Sequence, residues 1–536
     1  MARKVFFRIS IFGTLLIMLL SLLHPSALWG FVVLFPYMLI GVYDINTPKH
    51  NILHNYPVIG HLRYLLQSIG PELRQYFIET NQSGRPYNRE IRNLIYARAK
   101  KSNDTQPFGT QFDITTNGYH RANHSLSPQT ISQADSRVRV GGKHCRQPYE
   151  ASRLNISAMS FGALSPNAIR ALNAGAKLGG FAHNTGEGGL SPYHQQEGGD
   201  IFWQIGTGYF GCRDPEGNFD PTAFAEKAAL PQVRMIEIKL SQGAKPSHGG
   251  VLPAQKVNQE IASIRLVPVG EDVISPPAHT AFSTPRELLI FVEQLRTLSK
   301  GKPIGFKLCI GNHAEFMGIC KAMLETGILP DFITVDGAEG GTGAAPVEYT
   351  DRLGTPLNEG LLFVHNCLVG IGLRDQIRII ASGKVATGFD MITKLALGAD
   401  MCNAARAMMF ALGCIQSLRC NTNTCPTGIA TQDPKLAKAV NIKEKHVRVA
   451  NYHEATVDSM LDILGAMGLK HPDQLQPEQI WRRVEDEREK SYRELYNYLE
   501  PNSLLNENIP ADYARDWQLA STEYFSPPYP DSVTTG

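Results

Sequence analysis

The 536-residue chain lacks the charge imbalance that marks a protein binding nucleic acid or another polyanion. Its 52 basic and 50 acidic side chains leave a net charge of +2, and only 19% of the residues are charged. Nine cysteines, an odd number scattered over a long chain, do not form the pattern of a disulfide framework. No internal repeat is visible. A chain of this length can hold several average domains, or one α/β barrel with extensions.

The first 45 residues contain few charges and two long apolar runs. The runs cover residues 9–23 and 27–43 and are separated by a short break at His24, Pro25 and Ser26. Each approaches the roughly 20 residues that cross the hydrocarbon layer of a bilayer. A secretory signal peptide is the alternative, because the chain starts with basic residues and residues 26–30 resemble a cleavage site. The second run favours a transmembrane helical hairpin over residues 1–45.

Basic residues flank this hairpin on both sides. Arg3, Lys4 and Arg8 lie at its start, and Lys49 and Arg63 follow its end. The positive-inside rule then predicts that both ends are cytoplasmic. We therefore expect a protein of the cell (inner) membrane with two transmembrane helices and any catalytic domain in the cytoplasm.

Residues 46–150 are predicted to form a connector and an N-terminal extension. The connector, over residues 48–88, is predicted to be polar, and its clearest helical stretch is residues 70–79. A basic stretch follows over residues 85–101, which either lies against anionic headgroups or forms a solvated helix face.

From about Leu154 short β-branched runs alternate with segments rich in Ala and Leu, which predicts repeated βα units. The predicted fold class is therefore α/β, a TIM (β/α)8 barrel over residues 151–435. A doubly wound open sheet is the rival, but no Gly-x-Gly-x-x-Gly turn follows the first strand. The predicted strands are residues 156–159, 201–205, 235–240, 303–310, 332–335, 377–381 and 401–404. The predicted helices between them include residues 165–178, 285–298, 314–326 and 388–397.

Residues 436–536 are predicted to form a helical C-terminal extension. Within it, residues 477–499 are rich in Glu and Arg and have the composition of a surface helix. The end of the chain contains the run Ser-Pro-Pro-Tyr-Pro-Asp, which predicts a docked or loose tail.

Three cysteines near the end of the predicted barrel, Cys414, Cys420 and Cys425, have the close spacing of iron–sulfur ligands. A proline follows the last of them, as in many iron–sulfur runs. Three local ligands favour a 3Fe-4S cluster, or a 4Fe-4S cluster with one ligand from elsewhere. Three buried free cysteines are the alternative, since cysteine is common in protein cores. Thiolate ligands would indicate a reducing compartment.

Two turns at the end of the predicted barrel suit a phosphate group. Ser382, Gly383 and Lys384 follow a predicted strand and precede a helix, so backbone amides there could hold an anion. Asn403 and Arg406 follow the next strand, and the last two strand-to-helix loops of such barrels commonly bind phosphate. The two turns therefore predict a phosphate-bearing cofactor.

Three ordered runs carry a resemblance to a known family. They are Asn184-Thr-Gly-Glu187-Gly-Gly, Gln242-Gly-Ala-Lys245-Pro and the run from Cys425 to Pro434. Together they resemble the synthase domain of glutamate synthase, an FMN and 3Fe-4S barrel, over about residues 157–475. The resemblance implies FMN and an iron–sulfur cluster as cofactors.

The resemblance covers the synthase domain alone. Ala2 follows Met1, so no N-terminal cysteine nucleophile begins an amidotransferase domain, and the apolar hairpin stands in its place. We therefore expect a membrane-anchored, stand-alone form that takes ammonia from solution or from another subunit.

The resemblance also implies a set of flavin-binding residues. Ser157, Met159 and Ser160 would line the flavin ring, and Lys307 would stand near its pyrimidine side, where a cation tunes the potential. Further flavin-side residues are implied at Asp336, Gly341, Thr342 and Gly343, and the two turns described above predict phosphate-binding residues at Ser382, Gly383, Lys384, Asn403 and Arg406.

For the substrate, the cations Lys239, Lys245 and Arg265 suit a small dicarboxylate, which Arg can grip with two parallel hydrogen bonds. In the family, the resembling positions contact 2-oxoglutarate or assist its reduction. Lys239 would then handle a proton, with Glu187 beside it, and Gln242, Lys245 and Arg265 would bind the substrate. The implied reaction is reduction of 2-iminoglutarate, formed from 2-oxoglutarate and ammonia, to L-glutamate.

Two positions depart from the family. Val251 stands where the family has a glutamine that contacts the keto acid, and His248 replaces an acidic residue. A site that loses a polar contact can reject its original ligand. Three hypotheses stay open: glutamate formation, a reaction on another keto acid, imine or amino acid, and an electron relay without small-molecule turnover. An electron donor such as ferredoxin or a reductase is expected, and a homo-oligomer is left open.

Overall fold

The computed structural model describes residues 2–526 apart from Pro48 and Asp486. Contacts between residues divide the chain into two units, Met1–Arg89 and Glu90–Gly536. The end of the predicted tail, residues 527–536, lies outside the described residues. The finer division of the chain into four parts stays a prediction.

The first unit is helical. Its helices are α1 (Ala2–Ser21), α2 (Phe31–Asn46), α3 (Asn51–Asn55) and α4 (Gly60–Leu73), with a 3-10 turn at Pro25–Gly30 and a π turn at Arg74–Ile78. The segments Ala2–Ser21 and Pro25–Asn46, of 20 and 22 residues, are long and apolar enough to cross a membrane. A signal sequence passes the same test of length and composition, so the transmembrane assignment stays a prediction.

Glycines let α1 and α2 pack closely. A Cβ atom on Gly41 would lie 2.0 Å from the ring of Phe6, and one on Gly13 would lie 3.1 Å from the side chain of Leu34. Each glycine therefore leaves room for a bulky side chain of the other helix, as is common where helices pack in a bilayer. The predicted hairpin is a packed pair of helices.

The segment after this pair differs from the polar connector that we expected. Helix α4 begins at Gly60, well before the predicted helix of residues 70–79, and Pro71 lies inside it. Proline is usual in the first turn of a helix, whereas Pro71 lies near the end of this one. The apolar side chains of Leu62, Leu66 and Phe77 are exposed along this segment.

The second unit is built on a closed barrel of eight parallel strands, which confirms the predicted TIM-type fold. The barrel consists of β4 to β7 and β10 to β13, and each of these pairs with the next in the series. Pairing of β13 with β4, where Cys402 lies beside Leu154, closes the barrel. The strands are β1 (His120–Ala122), β2 (Val138–Val140), β3 (Tyr149–Ala151), β4 (Leu154–Ile156), β5 (His183–Asn184), β6 (Ile201–Ile205), β7 (Val233–Lys239), β8 (Val251–Leu252), β9 (Val273–Ile274), β10 (Ile304–Leu308), β11 (Phe332–Asp336), β12 (Arg378–Ser382), β13 (Met401–Ala404), β14 (Ile480–Glu485) and β15 (Arg488–Ser491).

Helices cover the outside of the barrel. Among them, the 25-residue helix α17 packs across α6, α14 and α15, which confirms a helical segment after the barrel. The helices are α5 (Arg89–Lys100), α6 (Pro166–Gly179), α7 (Pro192–Gln195), α8 (Pro221–Ala228), α9 (Gln259–Arg265), α10 (Pro285–Leu298), α11 (His313–Thr326), α12 (Val347–Arg352), α13 (Leu357–Gly370), α14 (Gly388–Ala396), α15 (Arg406–Leu412), α16 (Pro434–Ala437), α17 (Ile442–Ala466), α18 (Tyr492–Leu495) and α19 (Ala511–Leu519).

The hairpin of β2 and β3 closes the amino-terminal end of the barrel. Its inward side chains, Val138, Val140 and Tyr149, are buried in one cluster with Phe202 and Met401 of the barrel strands. An apolar plug at this end leaves the carboxyl ends of the strands as the place for polar chemistry.

Two expectations about charged segments were wrong. Residues 477–499 do not form a surface helix, because β14 and β15 pair as an antiparallel hairpin and β14 also pairs with β1. The basic residues of α5 are not all available to headgroups or solvent, because Arg92 and Arg98 are buried. Arg98 pairs with Asp104 at 3.3 Å and donates to the Thr456 hydroxyl at 3.3 Å.

Arg153 joins three parts of the second unit and is 1% exposed. Its guanidinium donates to the Ser136 carbonyl at 2.6 Å, the Asp400 carbonyl at 3.0 Å and the Asp473 carboxylate at 2.6 Å. We expect Arg153→Met to lower the free energy of unfolding by about 3 kcal/mol, because a buried charged donor and its bonds to three acceptors are lost. Thermal unfolding of the detergent-solubilised protein measures this loss.

The matched control is Arg488→Met. Arg488 makes a solvent-exposed ion pair with Glu485 at 3.7 Å, which contributes little to stability. Equal melting temperatures for the two variants would show that Arg153 does not hold these segments together.

Candidate active site at the carboxyl ends of the barrel strands

The carboxyl ends of the strands bring several predicted site residues together. Lys239 ends β7, Asp336 ends β11 and Ser382 ends β12, while Lys307 and Asn403 lie one position before the ends of β10 and β13. Lys307 is in register with Lys239, and Ser382 with both Asp336 and Asn403. Since parallel strands of a barrel end at the same edge, these residues meet at one mouth of the barrel.

Asp336 connects the residues at this mouth. Its Oδ2 atom lies 3.2 Å from Lys307 Nζ, and its Oδ1 atom accepts from the Ser382 hydroxyl at 2.9 Å. The Ser382 hydroxyl also lies 3.3 Å from that of Ser157. Burial acts to lower the pKa of Lys307, but nearby carboxylates, Asp336 first, outweigh it and raise that pKa. Lys307 is therefore a buried and charged cation.

Glu237 lies inside the barrel on β7 and is 2% exposed. Its Oε2 atom accepts from the amides of Asn184 at 2.9 Å and Gln204 at 2.6 Å, and its Oε1 atom accepts from the Thr334 hydroxyl at 2.6 Å. Sequence reasoning missed this carboxylate, although one acid between apolar strand residues is a visible signal. Both carboxylate oxygens of Glu237 accept hydrogen bonds, so neither is a buried acceptor without a donor. The carboxylate also adds negative charge near Lys307.

Glu187 and Lys239 form an ion pair at the same mouth. Lys239 Nζ lies 2.7 Å from Glu187 Oε1, and the two side chains are 8% and 18% exposed. Burial acts to raise the pKa of Glu187, but Lys239, Lys245 and Arg265 outweigh it and lower that pKa. Three predicted cations therefore surround one ionised carboxylate.

Lys245 and Arg265 are both buried. Burial lowers the pKa of Lys245 to about 8, although Glu187 acts to raise it. Burial likewise lowers the pKa of Arg265 to about 10. Arg265 donates to the Phe161 carbonyl at 3.0 Å, and its guanidinium lies 5.2 Å from the ring centroid of Phe210. Its buried Nε atom has no hydrogen-bond partner among the described residues, so the group keeps a donor for an anion.

Glycines form the wall around these charges. A Cβ atom would lie 2.4 Å from Glu187 Oε1 if placed on Gly250, and 2.7 Å from Arg265 Nη2 if placed on Gly188. A larger residue at either position would displace a charged group. Val251 follows Gly250 directly and is half-buried at this wall.

The loop after β4 lies against the loop that carries Glu187. A Cβ atom on Gly186 would lie 2.8 Å from the Ser160 amide nitrogen and 3.1 Å from that of Met159. The first barrel strand ends at Ile156, so Ser157, Met159 and Ser160 are loop residues rather than strand residues. The loop predicted to line a flavin thus adjoins the ionised carboxylate.

Two polar side chains at the mouth have unpartnered atoms. Gln242 Nε2 and Asn403 Oδ1 are buried and have no hydrogen-bond partner among the residues that the structure describes. Buried polar atoms are nearly always hydrogen-bonded in proteins. Both side chains therefore suit a polar ligand.

In the predicted phosphate turn after β12, some of the backbone amides are already hydrogen-bonded to side chains. Gly383 and Lys384 have φ values of 143° and 57°, so the chain turns sharply there. Helix α14, however, caps itself, because Thr387 Oγ1 accepts from the Asp390 amide at 3.0 Å and Asp390 Oδ2 accepts from the Thr387 amide at 2.9 Å. The Thr387 and Asp390 amides at the amino end of α14 are thus already bonded, and the turn at Gly383 and Lys384 stays the predicted anion site.

Arg406, at the start of α15, reaches the glycine turn after β11. Its Nη2 atom donates to the Glu339 carbonyl at 2.6 Å, and a Cβ atom on Gly341 would lie 2.7 Å from its Nε atom. Gly341, Thr342 and Gly343 are exposed in this turn. The loops after β11 and β13, both predicted to contact a cofactor, therefore touch each other.

The three predicted metal ligands lie in one loop after α15. Burial first, and then the neighbouring Cys420 and Cys425, raise the pKa of Cys414 to about 12. Burial also acts to raise the pKa of Cys425, but the Thr427 hydroxyl and nearby backbone amides outweigh it and lower that pKa. Donors to the sulfur stabilise a thiolate, which is the form that binds iron.

Within residues 2–47, 49–485 and 487–526, no group of three His, Cys, Asp or Glu side chains is arranged to hold a metal ion. The cysteines of this loop stay a predicted ligand set.

Lys256 ties the cysteine loop to the barrel mouth, and sequence reasoning missed it. Its ammonium donates to the carbonyls of Ala163 at 3.1 Å, Cys420 at 2.8 Å and Ala430 at 3.0 Å. The side chain is 2% exposed, and burial lowers its pKa to about 8. No local pattern in the sequence marks it, because its three acceptors come from two distant segments.

Comparisons with known proteins agree on one family. A family model described as a conserved region in glutamate synthase matches residues 95–470. The glutamate synthase large subunit-like protein YerD of Bacillus subtilis is 39% identical over 495 residues, which cover 85% of this chain and 94% of YerD. The archaeal glutamate synthase (NADPH) of Methanocaldococcus jannaschii is 36% identical over 321 residues, which cover 60% of each chain. The matched region of this chain thus spans about three fifths of the archaeal protein.

Solved structures give a weaker likeness. A mandelate oxidase variant superposes with a TM-score of 0.41 at 13% identity, over 75% of this chain and 97% of the oxidase. A flavocytochrome b2 variant gives a TM-score of 0.41 at 11% identity, over 86% and 93% of the two chains. The fold assignment rests on the strand order of the barrel itself.

The depressed pKa of Lys245 predicts a stability cost that depends on pH. The native pKa of about 8 lies below the ordinary 10.5, so between these values the unfolded chain binds more protons and the free energy of unfolding rises with pH. Below pH 8 Lys245 is charged in the folded protein, so its burial lowers the free energy of unfolding by the full amount. We expect Lys245→Met to raise the melting temperature at pH 7 and to raise it less at pH 10.

Lys443→Met, at an exposed position on α17, is the control and should change stability at neither pH. A Lys245→Met protein that is less stable than the parent at pH 7 would show that Glu187 fully offsets the burial of this lysine.

Proposed function

Because the chain belongs to the glutamate synthase family, we propose that it is an oxidoreductase that uses FMN and an iron–sulfur cluster. Its reaction would be reductive amination of 2-oxoglutarate to L-glutamate, or the same chemistry on a related keto acid or imine. The observation that carries the proposal is the buried group of Glu187, Lys239, Lys245 and Arg265. Burying four charges is costly, and three cations around one carboxylate leave positive charge for a small anionic substrate.

The residues at the mouth fit FMN. The turn at Gly383 and Lys384, together with Arg406 at the start of α15, would hold the phosphate. The unpartnered atoms of Asn403 and Gln242 offer polar contacts to the rest of the molecule or to the substrate. Lys307, buried and charged, would stand at the pyrimidine side of the flavin, where a cation favours the reduced form.

The loop of Cys414, Cys420 and Cys425 fits a 3Fe-4S cluster in its ligand chemistry. When bound, FMN would supply a hydride to the substrate and the cluster would supply electrons one at a time. Backbone amides that lower the pKa of Cys425 support a thiolate there. Electrons would come from a separate donor protein, such as a ferredoxin or a reductase.

The charged side chains at the barrel mouth would each have a separate role in the reaction. Arg265 and Lys245 would hold the carboxylates of the substrate, and Lys239 would donate a proton to the imino nitrogen as hydride reaches the carbon. Glu187, 2.7 Å from Lys239, would orient that lysine, which would regain its proton from solvent. The glycine wall at Gly188 and Gly250 would keep these groups close.

We also propose that α1 and α2 anchor the protein in the cell membrane. Their length and apolar composition support this, as does the glycine packing of Gly13 and Gly41. The catalytic domain would then be cytoplasmic, where a reducing compartment preserves thiolate ligands.

The cysteine loop yields the first functional prediction. Cys420→Ser should remove the visible absorbance of the cluster and lower the iron content of the anaerobically purified protein, while most FMN stays bound. The reason is that serine replaces a thiolate ligand outside the turn predicted to bind phosphate. Iron analysis and the absorbance spectrum measure the change.

Cys145→Ser is the matched control, because Cys145 is half-buried far from the loop and donates to the Gly301 carbonyl. It should retain both cofactors. Unchanged iron in Cys420→Ser would sink the cluster assignment.

Val251 yields a prediction about the substrate, because it follows Gly250 at the wall beside Glu187. An apolar side chain where the family has glutamine should weaken 2-oxoglutarate binding by about 1–3 kcal/mol, so Val251→Gln should restore it by that amount. Single-turnover reoxidation of the reduced flavin by 2-oxoglutarate and ammonia measures the gain. The unmodified protein should react slowly.

Ile274→Gln controls for added polarity, since Ile274 pairs with Val251 on β9 but is 65% exposed. It should leave the rate unchanged. Fast reoxidation in the unmodified protein, with no gain from Val251→Gln, would show that Val251 does not alter the substrate.

A further inference from the structure

Helix α4 carries an apolar face that the first unit leaves uncovered. Its apolar side chains recur every three or four residues, which places them on one side of a helix. Each is between 39% and 82% exposed, although side chains of this kind are usually buried. They are Ile59, Leu62, Leu65, Leu66, Ile69 and Leu73, followed in the π turn by Tyr76 and Phe77.

The other side of α4 is polar. Its exposed residues include His61, Arg63, Gln67, Ser68 and Glu72, which occupy the positions between the apolar ones. A contiguous exposed apolar stripe of this size on a soluble surface marks an interaction site. A helix with one polar and one apolar side is also the form taken by segments that lie in a membrane interface.

Asp44 fixes the start of α4 to the end of α2. This carboxylate is fully buried, accepts from the Val58 amide at 2.8 Å and lies 2.9 Å from His61 Nε2. A Cβ atom on Gly60 would lie 2.9 Å from Leu53, so α3 packs closely against the first turn of α4. The direction of α4 relative to α2 is therefore set by buried contacts.

The exposed apolar surface of α2 reaches this junction. Val42 and Tyr43, immediately before Asp44, are 49% and 66% exposed. Exposed apolar side chains thus lie both at the end of α2 and along α4, on either side of the junction that Asp44 fixes. Aromatic side chains at the far end, Tyr76 and Phe77, suit the boundary between headgroups and acyl chains.

We propose that α4 and its π turn lie in the plane of a phospholipid bilayer surface. The apolar side enters the acyl chains, and Arg63 and Gln67 face the headgroups and water. The proposal rests on the membrane anchoring by α1 and α2 proposed above. The buried junction holds α4 at the end of the proposed membrane helix α2, which favours lipid as the occupant over a second copy of the chain.

The test compares neighbouring positions on opposite sides of α4 in the full chain. Ile69→Trp and Ser68→Trp are each made in a Trp29→Phe background, which removes the tryptophan of the anchor. Both proteins are reconstituted into vesicles of phosphatidylcholine and phosphatidylglycerol, with ordinary or brominated acyl chains. Bromine should quench the added fluorescence of Ile69→Trp several-fold more than that of Ser68→Trp, after subtraction of the Trp29→Phe signal.

Vesicle flotation separates this proposal from the membrane anchoring. Protein that floats with vesicles but shows equal quenching at residues 68 and 69 would overturn the assignment of α4 while leaving the anchor intact. Protein that does not float would overturn both. If Ile69→Glu converts a dimer to a monomer in floating protein without differential quenching, the apolar face binds a second copy and the lipid assignment is wrong.

Discussion

The carboxylate of Glu187 is what allows three cations to lie buried at one mouth of the barrel. Without it, Lys239, Lys245 and Arg265 would repel one another in a region that screens charge poorly. Burial lowers the pKa values of Lys245 and Arg265, which shows that their charged forms are destabilised. An anion that enters the site would stabilise these charged forms. The predicted affinity for a small anion and the predicted cost in stability therefore have the same physical cause.

The loop after β4 connects this charged group to the cysteine loop. Four consecutive carbonyls of the loop accept bonds from side chains: Phe161 from Arg265, Gly162 and Leu164 from Gln432, and Ala163 from Lys256. Gln432 follows the cysteine run, and Lys256 also bonds to the Cys420 carbonyl. A displacement of the cysteine loop would thus be transmitted to Arg265, which is predicted to bind the substrate. These hydrogen bonds would fix the distance between the predicted iron–sulfur cluster and the predicted flavin.

Much of the fold could be predicted because barrel strands have a local signature. The predicted strands at residues 201–205 and 401–404 coincide with β6 and β13, whereas β5, at His183–Asn184, is too short to form a pattern. The hairpin of β14 and β15 was mistaken for a helix because its pairing partner β1 is distant in the chain. The site residues came from the barrel rule and the family resemblance, but Lys256 did not, since its bonding partners are visible only after folding.

The contacts of Asp44, in the first unit, also could not be predicted from the sequence. Composition marks two apolar helices there, but it does not show that an acid near the end of the second helix is buried by the segment that follows. The bonds from Asp44 to Val58 and His61 set the direction in which the chain leaves α2. That direction, rather than the composition of α4 alone, brings an exposed apolar face next to the end of the predicted anchor. The hydrogen bonds of Asp44 therefore determine where the apolar face of α4 lies relative to the end of α2.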